Sequence, residues 1–298
     1  MCDGRVALIT GGGRGLGRAH ALALAAEGAA VMVNDLGGES DGRGASLTPA
    51  QEVAAEIEAM GGTAVVDGSD VSDFDAAEAM VRSCVERLGR LDVVVNNAGI
   101  LRDRMFVNTS AEEWDDVIRV HLRGHFCVAR HAAAHWRDQV KAGDAVDARI
   151  INTTSGAGLL GSIGQSAYAA AKAAIAALTI MQAAELGRYG ITANALAPSA
   201  RTRLTEGVFT DMMAEVDSGF DAMDPANISP LVVWLSSAES AHVTGRVFEL
   251  EGGVIGLFDG WQFGPRVDKG DRWEPSEVGA AVDRLISDAP LPGPVYGA

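Results

Sequence analysis

Apolar runs and amphipathic stretches alternate along the first hundred residues. Each apolar run is bounded by glycine or polar residues, as is typical of buried strands, and the runs are 5–10, 30–35, 63–66 and 91–95. Between them lie stretches with apolar side chains at helical spacing, namely 18–27, 48–60 and 73–88. This βαβαβαβ alternation predicts a parallel sheet with helices on both faces. Because parallel crossovers are right-handed, we expect the sheet to be doubly wound.

The alternation continues through the second half of the chain. A capping box formed by Ser110 and Glu113 predicts the start of a long helix over 111–141. The other predicted elements are a strand at 149–154, a helix at 165–188, a strand at 192–197 ended by Pro198, a helix at 227–235 and a strand at 246–251. The sequence therefore predicts an α/β fold with a doubly wound parallel sheet of seven strands. We expect a single domain over residues 1–255 and a C-terminal extension over 256–298.

Composition and charge disfavour some classes of binding partner and indicate the cellular compartment. Hydrophobic residues make up 48% of the 298 residues and charged residues 21%, as in globular proteins. The formal net charge of −16 disfavours nucleic acid and anionic membranes as partners, because their phosphates would be repelled. The three cysteines form no C-x-x-C pair, so neither a disulfide framework nor a metal site is predicted. No apolar signal region or clean membrane-spanning run is visible, and we expect a cytoplasmic protein.

A glycine-rich loop follows the first predicted strand and precedes the first helix. Residues 10–17 have the form T-G-x-x-x-G-x-G. In this context glycines let backbone N–H groups approach a pyrophosphate, and the helix N-terminus adds a favourable partial charge. The pattern therefore predicts a dinucleotide site, with an ordinary glycine-rich turn as the alternative.

The second predicted strand ends in an acidic residue. Asp35 lies 18 positions after Gly17, close to the spacing at which a carboxylate binds an adenosine ribose. Its charge would repel a 2′-phosphate, so it favours NAD over NADP. Arg14, inside the glycine loop, favours NADP instead, because its positive charge could pair with a 2′-phosphate. The alternative for Asp35 is a plain turn residue.

Tyr168 and Lys172 are four residues apart on the alanine-rich helix at 165–188, so they share one face. A cation beside a phenol lowers the phenol pKa, which suits the tyrosine to general acid/base work. Most such pairs on helices are surface residues, so the pair alone does not establish a site.

Several motifs occur together in one order: Thr10-Gly11 with Gly15 and Gly17, Asp70-Val71, Asn96-Asn97-Ala98-Gly99, Ser155, Tyr168 with Lys172, and Pro198 with Thr202. In this set the chain resembles the short-chain dehydrogenase/reductase family of the Rossmann-like class, over about residues 4–253. The resemblance implies a nicotinamide cofactor and hydride transfer between a secondary alcohol and a ketone.

The resemblance also implies roles for individual residues. Tyr168 would be the general acid/base, and Lys172 would hold the nicotinamide ribose and depress the tyrosine pKa. Ser155, thirteen residues before Tyr168, would orient the substrate oxygen. The implied cofactor-binding set is Gly11, Gly13, Arg14, Gly15, Leu16, Asp35, Asp70, Val71, Asn97, Ala98, Gly99, Tyr168, Lys172, Pro198 and Thr202.

The chain departs from the family pattern at two positions. His121 stands where many members have an asparagine that supports a water in the proton relay, and Ser199 stands where glycine usually follows the proline. Three interpretations of His121 remain open. The relay survives through a backbone carbonyl, or His121 takes part directly, or it is a packed helix histidine.

Narrower phrases at 33–38, 96–106 and 120–126 resemble (3R)-hydroxyacyl-CoA dehydrogenases of peroxisomal multifunctional β-oxidation enzymes. They resemble actinobacterial hydroxyacyl-CoA and hydroxysteroid dehydrogenases equally well. We therefore expect an NAD-dependent enzyme (EC 1.1.1.-) of lipid metabolism that interconverts a secondary alcohol and a ketone on a small-molecule substrate of the 3-hydroxyacyl-CoA or hydroxysteroid type. The alternatives are a 3-oxoacyl-thioester reductase, another alcohol dehydrogenase of the family, or a non-enzymatic cofactor-binding protein.

The resemblance further implies a homodimer or homotetramer that pairs through the two long helices. The C-terminal extension carries several aromatic residues that suggest docking on the substrate cleft or on a neighbouring subunit, namely Trp261, Phe263, Trp273 and Tyr296.

Overall fold

A computed structural model describes residues 1–38, 41, 43–203, 205, 213, 218–258, 260–291 and 293–295. Its strands are β1 Val6–Thr10, β2 Ala30–Asn34, β3 Ala64–Asp67, β4 Val93–Asn96, β5 Ala148–Thr153, β6 Ile191–Ser199, β7 Val247–Glu251 and β8 Val254–Phe258. They form one sheet in the order β3-β2-β1-β4-β5-β6-β7-β8. All neighbours are parallel except β7 and β8. The predicted doubly wound parallel sheet is confirmed.

The eighth strand corrects the predicted count of seven. Gly252 and Gly253 were interpreted as the end of the sheet, but they form a tight turn, with Gly252 at φ +53°. A Gly-Gly pair between two apolar runs is a hairpin signal, and β8 returns antiparallel to β7 with Ile255 opposite Leu250. The predicted domain boundary at 255 lies inside this strand.

The helices are α1 Gly15–Ala26, α2 Thr48–Ala59, α3 Phe74–Leu88, α4 Ala111–Ile118, α5 Gly124–Ala142, α6 Gly156–Leu160, α7 Ser166–Leu186, α8 Ser229–Ser236 and α9 Pro275–Asp288. Alternate strand residues face opposite sides of the sheet. Thus Ile9 packs in a core with Leu24 and Leu231, from α1 and α8. Its neighbour Leu8 packs in a second core with Met80 and Trp136, from α3 and α5. Two apolar cores, one on each face, hold the sheet.

Three elements near the predicted site differ from expectation. The helix expected over 111–141 is interrupted by a π-helical turn at Arg119–Arg123, a feature that hydrophobic spacing does not reveal. The short helix α6 was not predicted. Strand β6 continues through Pro198, which the sequence suggested as its end. Neighbouring β5 ends opposite Leu196, so no ladder bond toward β5 is required of the residue at 198.

Helix α7 and the turn after it form a stretch, Ser166–Tyr189, that is long and apolar enough to cross a bilayer by length and composition. By length and composition alone this one stretch qualifies among the described residues, and such a match is weak evidence for a membrane span. Buried residues make up 44% of its most apolar window, and core helices pass the same test. Helix α7 packs against β6 and carries the predicted catalytic pair.

The C-terminal segment makes few contacts with the body. Helix α9 begins with a capping box of Glu274 and Glu277, and none of its residues is buried. Trp261 and Phe263 lie in solvent, so within this chain they are not docked on the cleft. Tyr296 lies outside the described residues. The predicted docking of this segment on a partner stays a prediction.

Candidate active site

A cleft opens at the carboxyl ends of β1, β2, β3 and β4. Strand order reverses between β1 and β4, and ligands of open α/β sheets bind at such a switch point. Predicted cofactor residues that line this cleft are Gly11, Arg14, Gly15, Leu16, Asp35, Asp70, Val71, Asn97, Ala98, Gly99 and Thr202. The four other predicted residues, Gly13, Tyr168, Lys172 and Pro198, lie outside its lining. The structure thus brings most of the predicted set to one edge of the sheet.

Close backbone approach explains two glycines of the loop. Gly11 has φ +62°, and a Cβ there would lie 2.8 Å from the Cα of Ala98. A Cβ on Gly17 would lie 2.0 Å from the Gly11 carbonyl oxygen and 2.6 Å from Asn97 Nδ2. That Nδ2 donates to the Gly11 carbonyl at 3.0 Å. The end of β4 is therefore fastened to the glycine loop, with no room for side chains between them.

Asp35 lies at the end of β2, where its carboxylate holds two backbone segments. Oδ2 accepts from the Gly13 N–H at 2.7 Å, and Oδ1 accepts from the Gly37 N–H at 2.6 Å. A carboxylate offers about four acceptor positions, so each oxygen retains capacity for a ligand hydroxyl. The position suits ribose binding and also fixes the conformation of the glycine loop.

The glycine loop meets the conditions for binding a pyrophosphate. Helix α1 begins at Gly15 and has no acidic residue in its first turn. The first N–H groups of a helix have no intrahelical partners, so they and the helix dipole attract an anion. Thr202 lies against this loop, since a Cβ on Gly15 would be 3.3 Å from the Thr202 methyl group. These residues fit a dinucleotide, with phosphates at α1 and a ribose at Asp35.

Arg119 belongs to the cleft, but sequence reasoning missed it. Its Nη1 donates to Ser72 Oγ at 2.8 Å and to Asp70 Oδ2 at 3.3 Å. Asp70 Oδ1 accepts from both the N–H and the hydroxyl of Ser72. The predicted Asp70 is thereby held by side chains from two elements. Arg119 opens the π-helical turn, and no local sequence signal places that turn beside the end of β3.

Ser155, Tyr168 and Lys172 come from the end of β5 and from α7. Ser155 caps α6, because its Oγ accepts from the Ala157 N–H at 3.2 Å. Lys172 Nζ donates to the Thr153 carbonyl at 2.6 Å and lies 5.5 Å from the Tyr168 ring centre. The ammonium is fully buried, and this burial lowers the pKa of Lys172 to about 7. The three predicted catalytic residues therefore share one region, fixed by β5.

His121 lies against Tyr168 in the π-helical turn. The two rings meet edge to face with centres 5.2 Å apart. His121 Nε2 lies 2.7 Å from the Ile100 carbonyl oxygen and 3.1 Å from the Ile100 nitrogen. Burial and the neighbouring Lys172 charge lower the pKa of His121 well below its usual value, so the ring is neutral. A neutral imidazole nitrogen either donates or accepts, so its tautomer selects which of the two Ile100 atoms it binds.

The loop after β4 is shaped around His121. A Cβ on Gly99 would lie 2.3 Å from Cε1 of the imidazole, so only glycine fits beside this ring. Within the described part of the chain, His121 Nδ1 is buried without a protein partner. The histidine thus contacts the Ile100 backbone and the Tyr168 ring at once, and the three interpretations of its role stay open. Ser199, where the family pattern has glycine, is buried at the end of β6.

Comparisons with known proteins agree with this geometry. A model of the short chain dehydrogenase family matches residues 5–213. Hydroxyacyl-CoA dehydrogenase ChsB1 of Mycobacterium tuberculosis is 46% identical over 288 residues, which cover 94% of this chain and 88% of that protein. Peroxisomal multifunctional enzyme type 2 of Mus musculus is 45% identical over 254 residues, and this stretch covers 85% of this chain but 32% of the longer enzyme.

A solved structure is similar over the whole length. The crystal structure of a short chain dehydrogenase from Mycobacterium avium shares 59% identity with a TM-score of 0.90, covering 100% of this chain and 99% of that one. The matched family model and these relatives confirm the resemblance found in the sequence. The chain belongs to the short chain dehydrogenase family.

Proposed function

We propose that this protein is an NAD-dependent dehydrogenase that interconverts a secondary alcohol and a ketone on 3-hydroxyacyl-CoA substrates. The observation that carries the proposal is the placement of Tyr168 and Lys172 on one face of α7, beside Ser155 at the end of β5. Family membership implies an oxidoreductase with a nicotinamide cofactor. ChsB1, a hydroxyacyl-CoA dehydrogenase by name, supports the substrate class.

Three side chains have separate roles at the reacting oxygen of the substrate. The Ser155 hydroxyl orients the substrate oxygen, and the Tyr168 hydroxyl removes or returns its proton. Lys172 is anchored to the Thr153 carbonyl, so its charge is held beside the phenol, where the cationic form favours phenolate. When bound, the nicotinamide supplies the hydride acceptor or donor. Holding the reactants in place lowers the barrier, because orientation is settled before reaction.

Asp35 supports NAD as the cofactor. Its carboxylate lies at the end of β2, fixed by two backbone N–H groups, and this kind of fold favours a ribose at that position. A 2′-phosphate there would meet a negative charge at short range. Arg14 also lines the cleft, but as the residue before α1 it lies on the phosphate side of the loop.

Exposed apolar and small residues on α5 and α7 support a homodimer or homotetramer. Phe126 on α5 is 43% exposed, and Ile180 and Met181 on α7 are 48% and 52% exposed. Pairing these helices between subunits would remove them from water. Light scattering tests this, because a mass equal to one chain of 30.9 kDa would exclude it. The cytoplasmic location stays a prediction from composition.

The decisive experiment is Tyr168→Phe, assayed by NADH absorbance with 3-hydroxyacyl-CoA substrates in both directions. We expect turnover to fall at least a thousandfold while NAD still binds, because only the proton-transferring hydroxyl is lost. Tyr189→Phe is the matched control. Tyr189 lies about 30 Å further along the helix axis at 1.5 Å per residue, and its ring packs under Arg188.

Persistent turnover in the Tyr168 variant would contradict the mechanism. Turnover of NADPH and 3-oxoacyl thioesters alone, with no oxidation of the alcohol by NAD, would favour the 3-oxoacyl-thioester reductase alternative. Tight NAD binding without turnover of any alcohol would favour the non-enzymatic alternative.

A further inference from the structure

Two loops beside the candidate active site leave large apolar side chains in solvent. The loop after β4 carries Met105, Phe106 and Val107, which are 56%, 75% and 87% exposed. The segment between α6 and α7 carries Leu160 and Ile163, which are 39% and 72% exposed. We call these five side chains the apolar rim.

Hydrogen bonds hold the two loops side by side. The Arg104 N–H donates to the Gly164 carbonyl at 2.8 Å, and residues 104 and 165 form a parallel bridge. Gln165 Nε2 donates to Asp103 Oδ2 at 2.8 Å. The backbones of the two loops that carry the apolar side chains are thereby fixed side by side. Their proximity is built into the fold and does not depend on a ligand.

The rim borders the position where Ser155 and Tyr168 act. Ser155 caps α6, and Leu160 is the last residue of that single short helix. Gln165 immediately precedes α7 and is three residues before Tyr168, which is less than one helical turn. A substrate whose reacting oxygen lies between Ser155 and Tyr168 therefore has the rim within reach of its remaining atoms.

Exposed apolar patches on soluble proteins mark binding surfaces, because removing hydrocarbon from water is favourable. A short polar substrate would leave the rim in water. An acyl group with a long or bulky apolar body would cover it. The rim is open to solvent, so it sets no fixed length limit of the kind that a closed pocket imposes.

We propose that the apolar rim binds the hydrocarbon body of the acyl group and makes the enzyme selective for long or bulky 3-hydroxyacyl-CoA substrates over short ones. This inference rests on the proposed function and names the substrate class for the same site. The C-terminal segment borders the rim, since a Cβ on Gly293 would lie 3.5 Å from Leu160 Cδ2.

The test compares kcat/KM for 3-hydroxyhexadecanoyl-CoA and 3-hydroxybutanoyl-CoA. We expect the wild-type enzyme to prefer the long substrate at least tenfold. Phe106→Ser and Ile163→Ser should each lower the ratio of long to short about tenfold, mainly through KM for the long substrate. Met60→Ser at the end of α2 is the matched control, because Met60 is 55% exposed and lies before the start of β3, at the edge of the sheet opposite the cleft. It should leave the ratio unchanged.

Equal values for the two substrates in the wild type, or an unchanged ratio in both rim variants, would overturn the inference. So would a fall in mass by light scattering with equal activity losses on both substrates, since the rim would then be a subunit contact. Calorimetry with hexadecanoyl-CoA separates this inference from the proposed function. Binding that the rim variants weaken, in an enzyme without turnover, would reject the dehydrogenase proposal and keep the rim as an acyl site.

Discussion

On the cofactor side of the site, backbone atoms from several strand ends approach so closely that only glycine fits. On the substrate side, the loops around Ser155 and Tyr168 leave large side chains in water. Gly11 and Gly17 have no room for a Cβ, whereas Phe106 is 75% exposed. The first side, where we propose that the nicotinamide cofactor binds, is determined by backbone contacts. The second side is made of side chains, which can change without disturbing the fold.

The largest expected effect comes from Gly17→Ala, on the cofactor side. The new methyl group would lie 2.0 Å from the Gly11 carbonyl oxygen, so the loop must move. We expect loss of NAD binding and a fall of about 3 kcal/mol in the free energy of unfolding, as for overpacked sites. Calorimetry and urea denaturation measure the two quantities.

Gly187→Ala is its control, because a Cβ there meets nothing within 4 Å and the backbone has helical φ. If the Gly17 variant binds NAD with full affinity, the glycine loop tolerates displacement by the new methyl group. The cofactor side would then be no more constrained than the substrate side.

Next in size is Asp35→Asn, which keeps the shape of the side chain, removes its charge and replaces one of the two oxygens that accept backbone N–H groups. The ratio of the NADP and NAD dissociation constants should move about tenfold or more toward NADP, because the repulsion of a 2′-phosphate is lost. Fluorescence titration of both cofactors gives the ratio. An unchanged ratio would restrict Asp35 to its bonds with the Gly13 and Gly37 N–H groups.

Substitutions of His121 test the region where the cofactor side meets the substrate side, because this ring contacts both the Ile100 backbone and Tyr168. An asparagine amide can donate to the Ile100 carbonyl and accept from its N–H at the same time. We therefore expect His121→Ala to lower kcat about tenfold and His121→Asn to lose less. Steady-state kinetics over a range of pH measures both. Equal losses in the two variants would mean that the imidazole itself, and not its hold on Ile100, matters for kcat.

The last prediction concerns the pH dependence of stability and comes from Lys172. Its folded-state pKa is about 7 and its usual value is 10.5, so the folded state binds the proton less well than the unfolded state does. Stability from this group is therefore lowest below pH 7 and rises as the pH goes from about 7 to 10.5. The slope is at most about 1.4 kcal/mol per pH unit.

In Lys172→Met this rise should disappear, as followed by urea denaturation between pH 6.5 and 9.5. A similar slope in both proteins would assign the pH dependence to other groups.

Much of the cofactor side was predictable, because it depends on local patterns. Strand, glycine loop and helix follow one another in sequence around Gly11 and Gly17, and Asp35 closes the next strand. Arg119 was not predictable, because a π-helical turn carries it to Asp70 and such a turn leaves no hydrophobic signature. The apolar rim was also not predictable from the sequence. Its two halves are joined by hydrogen bonds between residues some sixty positions apart, around Asp103 and Gln165.

The sheet order has a consequence for how the chain assembles. Strands β1, β2 and β3 extend the sheet to one side, and β4 then lies against the other edge of β1, from which β5 to β8 continue outward. The boundary between β1 and β4 is therefore a seam, at which strands synthesised early (β1 to β3) meet strands synthesised later (β4 to β8). A ligand bound across that seam contacts both parts and binds only when they are joined, so it stabilises the whole domain by mass action. At a hundred times its dissociation constant this contributes about 2.7 kcal/mol.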